Sequence, residues 1–187
     1  MGLSREGVTS DPRTVELVLY VAEKLSNQPT YGATLLNKAL YLIDNIAFLK
    51  LERPISKLNY VKQDRGATPA PNQFLRLRDD LVRDNYLKEI KADFFGFAQM
   101  RYVPMRQPNI NVFDKEEIVL IDQVLEMLAT HNASTISDLS HRHVSWQVSE
   151  NMDELPFYSF LLTSRPPNEF DLKWAQEEIR KFTDNKK

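Results

Sequence analysis

The residues with the chemistry to act on a substrate are few in this chain, and their spacing decides what they could do. His141-x-His143 offers two imidazoles, which with Asp138 or Glu150 could make a metal site. Positions i and i+2 of a helix point to different faces, however, so His141 reads as a capping or packing histidine at the end of a short helix. Ser140, His141 and Asp138 are the residue types of a hydrolytic triad, but triads are assembled by the fold from distant positions. The five glycines, Gly2, Gly7, Gly32, Gly66 and Gly96, are too dispersed to cradle a phosphate. No Gly-x-Ser-x-Gly elbow is present. Cysteine is absent, which excludes thiol catalysis, disulfides, iron–sulfur clusters and cysteine zinc sites. The expectation is a protein without catalytic residues, cofactor or metal.

Composition sets the frame for these residues. The chain has 187 residues, which at roughly 150 per domain implies one domain. Its 42% hydrophobic and 27% charged residues fit a folded, soluble protein. Lys+Arg 24 against Asp+Glu 26 leaves a net charge of -2, against a generic polyanion binder. The most apolar stretch, Ala39 to Phe48, is interrupted by Tyr41, Asp44 and Asn45 and is far shorter than the ~20 residues of a membrane span. The first ten residues have no apolar run of the kind a signal peptide needs. A single cytoplasmic domain over 1–187 is expected, with a core over about 12–163 and a C-terminal helix over about 168–183.

Periodicity then places the elements. Asp11-Pro12 starts a helix, Asp as N-cap and Pro at the first turn, with Val15, Val18, Ala22 and Leu25 on its inner face. A second helix, about Thr34 to Lys50, is apolar on nearly every side and must be the most buried. Leu58 and Tyr60 alternate with polar neighbours as in a short strand, and Arg65 to Pro71 reads as a turn or loop. A third helix over about Asn72 to Asn85 puts Phe74, Leu77 and Leu81 inward. Tyr86 to Lys91 and Met100 to Val103 form the arms of a hairpin whose tip holds Phe94-Phe95-Gly96-Phe97. Asp114 opens the next helix with Glu117 three residues on, a capping-box start, and Ile118, Ile121, Leu125 and Leu128 face in. A short helix follows near Ser134, Pro156 to Leu162 reads as a strand, and Leu172, Ala175, Ile179 and Phe182 mark the last helix. The class is mostly α (α+β): a helical domain with a small antiparallel sheet or hairpin.

Helix, strand, helix, hairpin is also the order of a winged helix-turn-helix, with Asn72 to Asn85 in the recognition position. On that alternative the chain would be a DNA-binding transcriptional regulator using Arg65, Arg76, Arg78 and Arg83. Asp79, Asp80 and Asp84 share the same helix and would repel phosphate, and the wing tip is aromatic instead of basic. A hydrolase built on His141 is the remaining alternative. The aromatic tip fits a protein partner better, because exposed apolar patches mark partner surfaces and aromatic anchors dominate their energies. At least one of Phe94, Phe95 and Phe97 is expected in the core and the others at an interface.

Two segments resemble a known family. Leu36-Asn37-Lys38-Ala39-Leu40-Tyr41-Leu42-Ile43-Asp44 is similar to the Leu-x-Lys-Leu-Leu-Tyr helix of the SocA-like antitoxins, whose domain is also called Panacea. Arg53-Pro54-Ile55-Ser56 and Tyr60 follow where that family has its connecting segment and Tyr-containing strand. Ala133-Ser134-Thr135-Ile136-Ser137-Asp138-Leu139-Ser140-His141, followed by Trp146, looks like the family's second signature, again after a long amphipathic helix. The chain departs from the family at Asp64-Arg65-Gly66-Ala67-Thr68-Pro69, where Tyr-Gly-Pro is usual. The resemblance implies an antitoxin that neutralises a cognate protein toxin by direct binding, in some members as an adaptor to a protease, with no catalytic residues. It makes Lys38, Tyr41, His141 and Trp146 structural motif residues. Occlusion of a toxin needs an interface near ~1,600 Å² with a few buried anchors; the candidates are Phe94, Phe95 and Phe97, with Arg65 and Arg76 as charged neighbours. Trp146 is expected to pack on the Asp114 to Thr130 helix, where its truncation to Ala would cost roughly 3–5 kcal/mol.

Neither a membrane nor DNA is the expected partner. A gel-shift with the chain's own promoter at physiological salt should show no sub-micromolar complex, because the electrostatic term that drives such binding is missing. Sub-micromolar binding would instead establish the regulator.

Overall fold

A computed structural model describes residues 11–129, 141, 143–162, 169–170, 173–174 and 176–177. The short helix expected near Ser134 and the expected last helix with Leu172, Ala175, Ile179 and Phe182 fall outside these residues.

Helix α1, Pro12–Leu25, starts as its sequence dictates: Asp11 accepts from the Thr14 amide at 3.0 Å, and Pro12 occupies the first turn. Helix α2, Ala33–Leu51, buries residues all round, from Leu35 and Leu36 to Ile43 and Ala47, and forms the axis of the core. It ends at Glu52, held in the left-handed region at φ 58. Strand β1, Tyr60–Gln63, folds back antiparallel onto β2, Gly66–Pro69, with Tyr60 opposite Pro69 and Gln63 opposite Gly66. The stretch expected to be a loop is therefore half a hairpin. The reason is Gly66, whose φ of 109 closes the turn so that Ala67 and Thr68 can pair. Pro71–Arg83 forms α3, with Phe74, Leu77 and Leu81 buried.

A second hairpin pairs β3, Leu87–Phe94, with β4, Phe97–Pro104. It follows α3 as a wing would, but β1 and β2 pair with each other and not with it. Four side-chain contacts moor it on the loop between α1 and α2. Gln99 donates to the Thr30 carbonyl at 3.1 Å, Arg101 to those of Ser26 and Gln28 at 2.7 and 2.9 Å, and the Tyr31 hydroxyl to Tyr102 O at 2.8 Å. Gly32 leaves room for this contact, since a Cβ at this position would lie 2.6 Å from Gln99 Cγ and force that side chain to shift.

After a 3-10 turn, Ile110–Val112, helix α4 spans Lys115–Ala129. Glu117 reaches back to the Asp114 amide at 2.8 Å, the reciprocal half of a capping box. The same fully buried carboxylate takes Arg13 at 2.7 Å and also Arg53, clasping α1 and the segment after α2 to α4. Burial pushes its carboxyl up, but the Arg13 hydrogen bond and the Asp114 amide hold it below the ordinary glutamate value. Helix α5, Val144–Val148, leads into residues that line β1: Met152 N donates to Lys62 O, Lys62 N to Asp153 O and Leu155 N to Tyr60 O. The expected strand over Pro156 to Leu162 is a 3-10 turn, Phe157–Leu161. Pro156 has no N–H for the next ladder position, so pairing stops there.

The deepest polar group is Asp44 on α2, fully buried. Its Oδ1 accepts from the backbone amides of Ile55 at 2.9 Å and Ser56 at 2.8 Å. Its Oδ2 accepts from the Ser56 hydroxyl and from the Tyr60 hydroxyl at 2.6 Å. Burial pushes the carboxyl up while the donors pull it back. Replacing Asp44 by Ala strands these buried donors, and each orphaned group costs about 1–3 kcal/mol. We expect Asp44→Ala to lose at least about 3 kcal/mol in urea unfolding at unchanged m. A loss under about 1 kcal/mol would show that water replaces the carboxylate.

Candidate partner-binding surfaces

The β3–β4 turn is built from Phe95 and Gly96, both at positive φ, 51 and 82. Gly96 accepts this without cost, and its amide is capped by Asp93 Oδ1 at 3.0 Å. Phe95 does not: a bulky residue in the left-handed region is strained. It is also 87% exposed, so burial returns nothing to offset that strain. Phe94 is half-buried and meets Phe95 edge to face, ring centroids 4.8 Å apart. The side chain of Phe97 lies outside the description.

Arg65 and Arg76 are both exposed and make no ion pair among the described residues. The structure does not bring them together. Arg65 is at the β1–β2 turn, where its carbonyl accepts from the buried Lys38 Nζ at 2.6 Å. Arg76 lies on α3 beside a cleft of about 930 Å³ bordered by Asp11, Lys57, Leu77, Asp80 and Tyr86. The other two arginines of that helix are engaged. Arg78 contacts Asp79 at 2.6 Å and Glu89 at 3.5 Å, and Arg83 contacts Asp80 at 2.6 Å and Asp84 at 3.0 Å. The interleaved aspartates thus neutralise the face that a DNA-reading helix would need free.

His141 stacks on Trp146 with centroids 4.0 Å apart and planes 21° from parallel. Lys62 Nζ lies 4.4 Å from the centre of the same indole, whose N–H donates to Gln63 O at 3.3 Å. The described stacking, cation and hydrogen-bond contacts of Trp146 are therefore with His141 and β1. The cause is the pairing of residues 152–155 with β1, which carries the preceding α5 over that hairpin. His143 tilts over Phe160 at 4.1 Å, and burial holds its imidazole below the ordinary histidine value. Tyr41 is edge-on to Tyr60 at 5.3 Å, and burial pushes its hydroxyl up to about 12. Among the described residues no three His, Asp or Glu side chains converge as a metal-ligand set. No described helix is long and apolar enough to cross a membrane.

Residues 36–147, more than half of the chain, match the family model described as antitoxin SocA-like, Panacea domain. The chain belongs to the SocA-like antitoxin family. No curated protein and no solved structure gives a match. Within the SocA-like span, Lys38 and Asp44 both point from α2 into its neighbours: Lys38 holds the β1–β2 turn, and Asp44 holds the approach to β1. The Leu-x-Lys helix signal thus marks residues that fasten this hairpin to the core.

Sequence reasoning missed one feature of this SocA-like chain. Val148, Tyr158, Leu161 and Leu162, past the end of the family match, are all more than half exposed. An apolar run reads as core when the residues are taken alone, and only the fold shows that these point outward. For Trp146, half-buried between His141 and Lys62 at the edge of the core, we expect Ala to cost about 2 kcal/mol, below the range for a fully enclosed aromatic. Urea unfolding monitored by far-UV circular dichroism checks this, and a loss above about 4 kcal/mol would place the indole in the main core.

Proposed function

We propose that this chain is a cytoplasmic antitoxin that neutralises a cognate protein toxin by direct binding. The match to the SocA-like antitoxin domain over residues 36–147 carries this reading. The strained, outward Phe95 supports it, since an aromatic held at unfavourable φ and in water does nothing for the fold but suits an interface anchor. Phe94 backs it edge-on, and Arg65 supplies a charge free of any described ion pair. Phe97 and Arg76 complete the proposed contact set. Delivery of the captured toxin to a protease is the form this activity takes if the chain serves as an adaptor.

Co-expression with the product of an adjoining gene tests the reading. The wild-type chain should rescue cells from a toxic neighbour and show no toxicity of its own. Phe95→Ser should cut rescue at least about tenfold, as expected for an interface anchor, with stability changed by less than about 0.5 kcal/mol. Arg65→Glu should do less, because rim charges act mainly on association rate. Full rescue by Phe95→Ser would remove the hairpin tip from the interface, and failure of the wild type to rescue would remove the antitoxin.

A further inference from the structure

Strand β3 has a paired neighbour on one side only. Met105 N donates to Tyr86 O at 2.8 Å, and the register runs on from Leu87 opposite Pro104 to Phe94 opposite Phe97. The even-numbered residues of β3 therefore turn their amides and carbonyls to β4, while Leu87, Glu89, Lys91 and Asp93 turn theirs away. No described hydrogen bond reaches those outward backbone groups. The edges of β1 and β4 are covered by contrast: residues 152–155 lie along β1, and β4 rests on α1 and α2, with the Tyr31 hydroxyl on Tyr102 O. Arg78 of α3 reaches Glu89 at 3.5 Å and the hydroxyl of Tyr102, which stands opposite Glu89 in the register. Helix α3 thus covers a face of the hairpin and leaves its edge open, and Lys88 to Lys91 are all exposed.

An open edge of this length is a template for another strand, and like charges along it are the usual protection. Here the charges alternate in sign, Glu89 then Lys91, and that order says which strand fits. Let a second copy pair antiparallel about a two-fold axis through Ile90. Glu89 then exchanges both backbone hydrogen bonds with Lys91 of the second copy, Lys91 does so with its Glu89, and the exposed Ile90 meets its own counterpart. The two Glu–Lys pairs have their Cβ atoms about 5 Å apart, where opposite charges stabilise a ladder and like charges destabilise it. The registers on either side set Glu89 against Glu89 or Lys91 against Lys91. A further step toward the tip relies on Asp93, whose carboxylate already holds the Gly96 amide at 3.0 Å, and shortens the ladder. The favoured register also lays the half-buried Phe94 opposite the exposed Tyr86 of the second copy.

We propose that β3 is a self-pairing edge through which two copies of the chain join into one four-stranded sheet, in the order β4-β3-β3-β4. The inference is independent of the antitoxin reading. One strand per copy is a small seam beside the about 800 Å² per partner of a stable complex, so the dimer forms reversibly with a micromolar Kd. Sedimentation equilibrium of the full chain from about 1 to about 300 µM should show monomer giving way to dimer. Lys91 has no described side-chain partner to lose, and Lys91→Glu should raise the dimer Kd at least about tenfold at an unchanged melting curve. Glu89→Lys should do the same, and Glu89→Lys/Lys91→Glu should return the Kd to within about threefold of wild type, because the swap restores both pairs. Lys91→Pro removes an outward amide and no β3–β4 bond, so it should abolish the dimer while the fold stays; if it unfolds, the charge swap still reads the same Kd. A wild type that is monomeric throughout overturns the proposal, and rescue by that monomer leaves the antitoxin standing. A dimer unchanged by Lys91→Glu and Lys91→Pro overturns it too, the copies then meeting elsewhere. So does a monomer whose binding to the product of the adjoining gene is lost in Lys91→Pro, the edge then taking a strand of that partner.

Discussion

Among the described residues, Asp44 takes four hydrogen bonds, all from one short stretch, Ile55 to Tyr60. A carboxylate left alone in a core costs several kcal/mol, and only a full set of donors makes the site tolerable. That requirement fixes how the chain leaves α2. Ile55 and Ser56 must present their amides, Ser56 must turn its hydroxyl inward, and Tyr60 must lay its ring along α2 to reach the same oxygen. Tyr60 is the first residue of β1, so the carboxylate sets where the hairpin begins. The hairpin in turn carries residues 152–155 and, through them, α5 and the 3-10 turn. A chain of consequences thus runs from one buried carboxylate to the 3-10 turn at Phe157–Leu161.

Two further polar anchors act in the same way on the rest of the core. Lys38 ties the far end of the first hairpin to α2 by donating to a backbone carbonyl, and Glu117 ties α4 to α1 and to Arg53. All three side chains are buried, and each joins elements far apart in the sequence. Apolar packing alone would tolerate sliding between the helices; these bonds specify a register. The β3–β4 hairpin is moored differently. Gln99 and Arg101 of β4 donate to carbonyls of the α1–α2 loop and Tyr31 of that loop donates to Tyr102 O, which leaves the tip and its Phe95 outward.

What could be read in advance follows the range of the forces involved. The starts of α1 and α4 rest on local rules, a capping Asp with Pro and a Glu three residues on, and both appear as expected. The α2 stripe, apolar on every side, announced its central place for the same reason. Pairing partners are not local. Nothing within Arg65 to Pro71 says that Ala67 and Thr68 will find β1, and nothing near Pro156 says that the residues just before it will extend that sheet. Trp146 shows the same limit: its type signals packing, but its seat depends on a strand more than eighty residues away. Buried charges are the opposite case. Lys38 and Asp44 stand out in an apolar helix, yet their partners are known only once the chain has folded.

The surfaces divide along the same line. Within the matched span Lys38, Asp44 and Glu117 hold the domain's own elements together, and Arg78 and Arg83 of α3 pair with its own aspartates, while Arg65 and Arg76 stay exposed. On the proposed antitoxin reading, recognition falls to what these anchors hold outward. Two described places are held outward, the strained aromatic at the hairpin turn and the exposed Tyr158 and Leu161 of the 3-10 turn. Both are attached to the core through contacts on their inner sides, Gln99 to Tyr102 for the hairpin and Phe157 with Phe160 for the 3-10 turn. Changes on their outer sides therefore leave the anchors untouched. A domain built in this way can exchange its partner by altering exposed residues without repacking its core.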